Sequence, residues 1–303
     1  MNDTARLKRG RFAAGVVTAA LATAVAATPF GLGACAHAPL PPAAGLAWQS
    51  PPAVAATTLA MWRFDETTGL EFADAGPARC DGVLGIDTRT AFGRFRNARL
   101  FTPSINSFAL VPAPRAPRLD ATWTIEAWIN PSQYGPVECS VIAARWTDQP
   151  NEQGWMLGIT GFDRSAIQGA PPRPDVFESL IARRGIGLLL FALQPRDAGA
   201  PLGFASTLPI DLNRWTHVAV TDDGSELRMY LDGRLDAQFA TTARVRDTDT
   251  PLVIGNQIDA RWLTESQGPL RVPNDANRYP FYAYEGLIDE LRISGTALTN
   301  GRE

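Results

Sequence analysis

Lysine is almost missing from this chain: Lys8 is the only one in 303 residues, so nearly all of its 28 basic residues are arginines. Lysine Schiff-base chemistry therefore has no candidate beyond the first few residues, and no lysine-rich cluster is present to track nucleic-acid phosphates. Histidine is nearly as scarce, with only His37 and His217. A serine or cysteine nucleophile would have a single candidate base, and His217 alternates with Trp215 and Ala219 in a strand-like run, which argues for a structural role. Two histidines and the cysteines Cys35, Cys80 and Cys139 do not make a usual zinc cluster at these spacings. Helical periodicity is scarce too. What is present is a charged fraction of 19% and a hydrophobic fraction of 45%, enough to bury a substantial core.

The first residues carry their own signal. Arg6, Lys8, Arg9 and Arg11 precede an Ala/Val-rich run from Phe12 to about Ala27, too short and too small-residue-rich for a good membrane span. This reads as a signal peptide, residues 1–34. It closes on Leu32-Gly33-Ala34-Cys35, which resembles the lipobox of bacterial lipoproteins, so Cys35 is the expected lipidation site; a plain secretory signal is the alternative. Removing the signal takes away four positive residues and Asp3, moving the formal charge from −3 to −6 and further disfavouring nucleic acid. Residues 35–57 are Ala/Pro-rich, with Pro39, Pro41-Pro42 and Pro51-Pro52, and read as a semi-extended tether. The expected location is the bacterial cell envelope, lipid-anchored. Ala36 after Cys35 favours the outer membrane by resemblance to sorted lipoproteins, with a secreted or periplasmic protein as the alternative. In an oxidising compartment, Cys80 and Cys139 are expected either to pair or to stand as two separate buried thiols.

From residue 58 to 303 the pattern is that of one all-β domain. Strand-like runs recur at Leu59 to Phe64, Arg99 to Thr102, Ser107 to Val111, Thr122 to Asn130, Ser140 to Trp146, Gly154 to Thr160, Gly187 to Gln194, Leu252 to Gly255 and Tyr282 to Ile293, separated by Gly, Pro, Asn and Asp. The densest signal lies between Trp215 and Arg234, where two runs flank Thr221-Asp222-Asp223-Gly224 and a second turn follows at Asp232-Gly233. A two-residue Asp-Gly turn would oppose Met229 to Asp236 and Leu227 to Gln238, mixing faces. The expected register is a three-residue loop with Met229 facing Leu235 and Leu227 facing Ala237. Many short strands predict an antiparallel two-sheet β-sandwich. Two stretches exceed ordinary hairpin loops: Gly161 to Gly185 and Ile258 to Tyr279.

An ordered series of short pieces carries a family resemblance. They are Trp62-Arg63-Phe64-Asp65-Glu66, Asp74 through Asp81-Gly82, Ala98-Arg99-Leu100-Phe101, Trp123 to Ile129, Trp215 to Val220, Tyr230-Leu231-Asp232-Gly233, Ile254-Gly255, and Gly286 to Ile293. In this order they resemble the laminin G-like, concanavalin A-like lectin/glucanase jelly-roll group in its bacterial pentraxin-type form. The resemblance implies a jelly-roll and a role in binding glycan or protein. Glucanases of this fold use a Glu-x-Asp-x-x-Glu string, which this chain lacks; Glu285, Asp289 and Glu290 are its nearest approach. The leading expectation is a non-enzymatic envelope binding module. A divergent glycoside hydrolase or lyase, or a structural envelope protein, are the alternatives.

Candidate site residues follow from chemistry. In the late loop, Trp262, Arg271, Asn274, Asp275, Arg278 and Tyr279 combine stacking surface with hydrogen-bonding groups, near Phe281, Tyr282 and Tyr284. Asp74, Asp81 and Asp289 are candidate oxygen ligands for a structural calcium, as the family also implies. Strict alternation would put Asp289 in line with Leu287, Leu291 and Ile293, so a partly buried carboxylate needing compensation is expected there. The alternative is that Asp74 and Asp81 are turn residues and Asp289 a hydrogen-bonded strand carboxylate. No cofactor besides calcium is expected, and membrane contact is expected through the lipid anchor only.

Overall fold

A computed structural model describes residues 50–135, 139–147, 149, 151–162, 185–197, 199–265, 269–273 and 282–299. The chain divides into Met1–Ala44 and Gly45–Glu303, and every described residue belongs to the second unit. The signal peptide, Cys35 and most of the tether lie outside the described residues.

The strands are β1 (Thr58–Trp62), β2 (Glu71–Phe72), β3 (Gly82–Leu84), β4 (Arg89–Phe92), β5 (Asn97–Phe101), β6 (Ala109–Val111), β7 (Trp123–Pro131), β8 (Cys139–Trp146), β9 (Gln153–Thr160), β10 (Leu188–Leu193), β11 (Leu202–Pro209), β12 (Thr216–Asp222), β13 (Glu226–Leu231), β14 (Arg234–Ala240), β15 (Leu252–Ile254) and β16 (Gly286–Ser294). They form two antiparallel sheets. Sheet A runs β14-β13-β12-β7-β16-β5-β4, with β1 also on β16, and sheet B runs β11-β10-β9-β8-β15-β6-β3-β2. The alternating apolar residues of both sheets meet between them, where Trp62, Phe101, Trp123, Trp155, Phe191 and Tyr284 are the bulkiest members of the main core. This is an all-β sandwich, as the alternation predicted. Short or weakly alternating strands escaped the sequence pattern: β2, β3 and β4 hold two to four residues each, and β11 mixes glycine, serine and proline.

Two registers differ from expectation for the same physical reason. Asp232 and Gly233 both have positive φ, 51° and 75°, so β13 and β14 are joined by a two-residue turn. A β-bulge between Met229 and Tyr230 then absorbs one residue of β14, so Met229 faces Ala237 and Leu227 faces Phe239, and the apolar faces stay aligned. The displaced residue is used: Asp236 accepts from Thr207 N at 2.5 Å, Thr207 Oγ1 at 2.9 Å and Leu208 N at 3.2 Å, tying the sheet A edge to β11 of sheet B. Asp232 is held in this turn by partners on and before β12, accepting from His217 N at 3.0 Å and pairing with Arg214 at 2.7 Å.

In β16 a bulge lies between Asp289 and Arg292, with Glu290 at φ 50°. Strict alternation fails there. Ile288, Leu291 and Ile293 enter the main core, whereas Leu287 is only partly buried. Asp289 instead faces the β4–β5 turn, accepting from Phe95 N at 3.0 Å.

Of the two expectations for Cys80 and Cys139, the structure has two separate buried thiols. Cys80 lies in the main inter-sheet core, and Cys139 belongs to a separate cluster with Val141, Trp146, Met156, Leu190 and Tyr282. The Cys139 sulfur sits over Gly158, so close that a Cβ there would collide with it. Two thiols in different apolar layers cannot bridge without moving backbone.

Candidate functional site

The late loop begins where β15 ends. Gly255, at φ +77°, lets the chain turn sharply against Phe101, whose ring a Cβ would strike. Asn256 then donates from Nδ2 to Ser104 O at 3.0 Å and Ser107 O at 3.2 Å. A 3-10 turn, Ala260–Trp262, follows, capped by Asp259, whose carboxylate accepts from Arg261 N at 3.0 Å and grips its guanidinium at 2.6–3.0 Å. Arg261 also reaches Glu152 in the β8–β9 connection at 3.0 Å. Thr264 and Arg271 close the loop as an antiparallel bridge, with N–H···O bonds of 2.9 and 3.1 Å. Beneath it, Ile258 and Val272 join Phe108, Leu110 and Val253 in an apolar cluster of their own, and Val272 N donates to Asn106 Oδ1 at 2.7 Å.

This stem is rigid, and it presents Trp262. Among the described tryptophans, Trp62, Trp123, Trp128, Trp146 and Trp155 are at most 5% exposed and Trp215 is half-buried, whereas Trp262 is 36% exposed. Arg271 stands half-buried on the return arm. Asn274, Asp275, Arg278 and Tyr279 lie outside the described residues, as does most of Gly161 to Gly185. Tyr282 and Tyr284 are not part of any exposed aromatic group: both are buried, Tyr284 donating to Leu287 O at 3.3 Å within the main core.

The three proposed calcium ligands do not converge. Asp74 is buried and already takes three backbone donors, Met61 N (2.7 Å) and Gly76 N (2.6 Å) on Oδ1 and Cys80 N (2.8 Å) on Oδ2. Asp81 Oδ1 accepts from Asp74 N at 2.8 Å, stitching the same loop. Asp289 is committed to the β4–β5 turn, and among the described residues no group of three His, Cys, Asp or Glu side chains is placed to hold a metal ion. The Asp74–Asp81 loop behaves as a hydrogen-bonded turn. Burial, reinforced by Asp74, pushes the Cys80 thiol up to about 12.

Across sheet A, on the side away from the main core, lies a polar network that alternation alone did not reveal. Glu126 of β7 sits at its centre: its Oε2 is 3.0 Å from His217 Nε2 of β12, and its Oε1 accepts from Arg292 of β16. All three side chains are at most 3% exposed. One strand turn away, Glu290 is paired with Arg63 at 3.0 Å. The same two arginines hold the incoming chain, Arg63 donating to Pro52 O at 3.0 Å and Arg292 to Ala53 O at 3.1 Å. His217 therefore has a structural position, and Asp289 and Glu290, 0% and 3% exposed, are sealed from solvent rather than poised over a substrate.

Burial raises the Asp289 carboxyl to about 7 against the pull of the Phe95 and Arg94 N–H groups, and burial raises Glu290 to about 7 against Arg63. A carboxyl whose folded-state pKa exceeds its unfolded value binds its proton more tightly when folded. Its contribution is complete below about pH 4 and is lost as pH rises to about 7. The expected result is that Asp289→Asn closes part of this gap: between pH 5 and 7.5, the stability difference between variant and wild type shifts in the variant's favour by about 2 kcal/mol. Urea titrations at both pH values measure it, and parallel pH profiles would refute it.

Residues 185–301 match the Laminin_G_3 family model, described as the concanavalin A-like lectin/glucanases superfamily. The match covers the later part of the β-sandwich only, so it stands as a likeness to that superfamily. Among solved structures, this chain is similar to the binding domain of Paraclostridial Mosquitocidal Protein 1, with 12% identity and a TM-score of 0.53 over 80% of this chain and 50% of that one. The receptor-binding domain of botulinum neurotoxin type G matches with 13% identity and a TM-score of 0.50 over 81% of this chain and 49% of that one. The chain thus spans about half the length of each, and likeness at this identity establishes the fold. No curated protein is similar enough in sequence to register as a match. Relative to what sequence alone suggested, the structure adds Glu126 and Arg292, whose partnership is formed between strands far apart in the chain.

Proposed function

We propose that this chain is a non-enzymatic binding module of the bacterial cell envelope that recognises glycan or protein ligands through the edge formed by the Ile258–Tyr279 loop. The observation that carries the reading is the 36% exposure of Trp262, set against at most 5% for Trp62, Trp123, Trp128, Trp146 and Trp155. A half-exposed indole on a capped, cross-braced turn is a preorganised stacking or packing surface, which loses little entropy when a ligand arrives. Arg271 stands on the paired arm of the same loop and is the second residue of the proposed contact. Two solved domains of this fold are named for binding, one of them receptor binding, which is consistent with the reading. Cys35, through lipidation, is the residue proposed to hold the module at the envelope, in the outer membrane.

The test is a glycan array together with capture from envelope extracts, run with the full chain and with Trp262→Ala. The variant is expected to lose about tenfold or more in affinity, the loss of one anchoring aromatic, with its thermal midpoint unchanged. Ligand binding that is indifferent to Trp262→Ala, or an absence of ligands from both screens, would reject the proposal.

A further inference from the structure

Residues 89–99 carry Arg89, Arg94, Arg96 and Arg99 with no acidic residue among them, in a chain whose formal charge is −3. The structure folds this run into the β4–β5 hairpin, and β4 is the end strand of sheet A. Arg99 turns inward beside Glu66 and is 4% exposed. Arg89 is exposed, Arg94 half-buried, and the Arg96 side chain 78% exposed, with Asp65 at 3.6 Å. Between them stands Phe92, 91% exposed, more than any other large hydrophobic residue described.

The tip is a built feature rather than a frayed end. Gly93 N donates to Arg96 O at 2.9 Å, and Asn97 binds Asp65 twice, N to Oδ1 at 3.2 Å and Nδ2 to the backbone O at 3.0 Å. Phe95 is buried edge-on against Trp128 with ring centroids 6.0 Å apart, and its N–H is held by Asp289. The Arg94 guanidinium lies 4.8 Å from the Trp128 ring centre. One phenylalanine of the turn is thus anchored and the other is held out in water, with arginines before and after it in the sequence.

We infer that the β4–β5 tip is a docking surface for an anionic phospholipid bilayer. A bilayer offers two matching layers, phosphates that attract guanidinium groups and an apolar zone just beneath that takes up an aromatic ring. A soluble polyanion would satisfy the arginines and leave Phe92 in water. The contact is additional to any acyl anchor and lies on a different element from the Trp262 loop, so it stands or falls separately from the ligand-binding proposal.

The experiment uses the full chain with Cys35→Ser, which removes acylation as a source of binding. Phe92→Cys is labelled with an environment-sensitive fluorophore; Cys80 and Cys139 are buried and stay unlabelled. Phosphatidylglycerol-containing vesicles are expected to shift the label's emission to the blue and raise its intensity, an effect that salt reverses and that pure phosphatidylcholine vesicles do not produce. The same label placed through Leu235→Cys, another exposed position, is expected to stay unshifted. Arg89→Glu with Arg96→Glu is expected to weaken partitioning onto anionic vesicles by about tenfold or more, and Phe92→Ser by about fivefold, with thermal midpoints unchanged. Trp262→Ala is expected to leave vesicle binding intact. An equal shift of both labels, binding that survives the double charge reversal, or binding to soluble heparin but not to vesicles would overturn the inference.

Discussion

Asp74→Ala is expected to lower the stability of the domain by about 4 kcal/mol, from roughly 1–3 kcal/mol for each buried donor left without an acceptor. Three backbone N–H groups depend on this one carboxylate, those of Met61, Gly76 and Cys80, at 2.6–2.8 Å, and the side chain is 1% exposed, so water cannot replace it. The damage would reach the core directly. Met61 lies in β1, Ala75 N returns to Met61 O at 2.8 Å, and Cys80 O is the acceptor for the Trp62 indole at 2.9 Å. Asp74→Asn keeps Oδ1 for two donors but turns an amide toward Cys80 N, and about half the loss is expected. Urea denaturation of the three proteins decides the matter: an alanine variant within about 1 kcal/mol of wild type would show that the loop rearranges freely.

The second large effect is expected from Arg292→Ala, about 3–5 kcal/mol, the usual consequence of leaving a buried charge without its partner. Glu126 would keep only His217, at 3.0 Å, in a setting from which water is excluded. The loss should be strongly non-additive. In the double variant Glu126→Gln with Arg292→Met, the uncompensated carboxylate is gone, and much of the stability is expected to return, with a coupling of about 2 kcal/mol or more in the cycle. A second readout separates this network from simple packing. Arg292 also donates to Ala53 O at 3.1 Å, so the variant should become cleavable near residues 50–55 under conditions where wild type is not. Equal losses in the single and double variants would mean that the pair contributes only through its volume.

These expectations rest on groups of unequal visibility in the sequence. The strands of the central sheet, from Trp123 to Pro131 and from Thr216 to Asp222, show their two faces as period-two patterns, because which side a residue takes is settled by its immediate neighbours. Trp262 was picked out as a loop aromatic and is exposed, whereas Tyr282 and Tyr284, only a few residues beyond that loop, are core. Position near a loop does not say whether a ring has an apolar layer to enter. The Asp289 face was misassigned because one left-handed residue, Glu290, reverses the alternation, and a bulge leaves no reliable local mark when the residue adopting it is not glycine. Asp236 escaped for a similar reason, since the hydrogen bonds that occupy it come from Thr207 and Leu208, roughly thirty residues earlier in the chain.

What sequence alone determined is the class of the fold, the order of its principal strands, the structural standing of His217 and the loop that carries Trp262. All of these follow from local periodicity, turn chemistry and composition, which act over a few residues. Only the tertiary structure decided that Glu126, His217 and Arg292 meet, that Asp74 and Asp289 do not, that the two core cysteines lie in different layers, and that Phe92 stands in solvent while Phe95 is buried. The reason is physical: these outcomes depend on which distant strands become neighbours and on where a bulge shifts the register. Such choices are settled by burying the whole core at once, and no short stretch of sequence contains them.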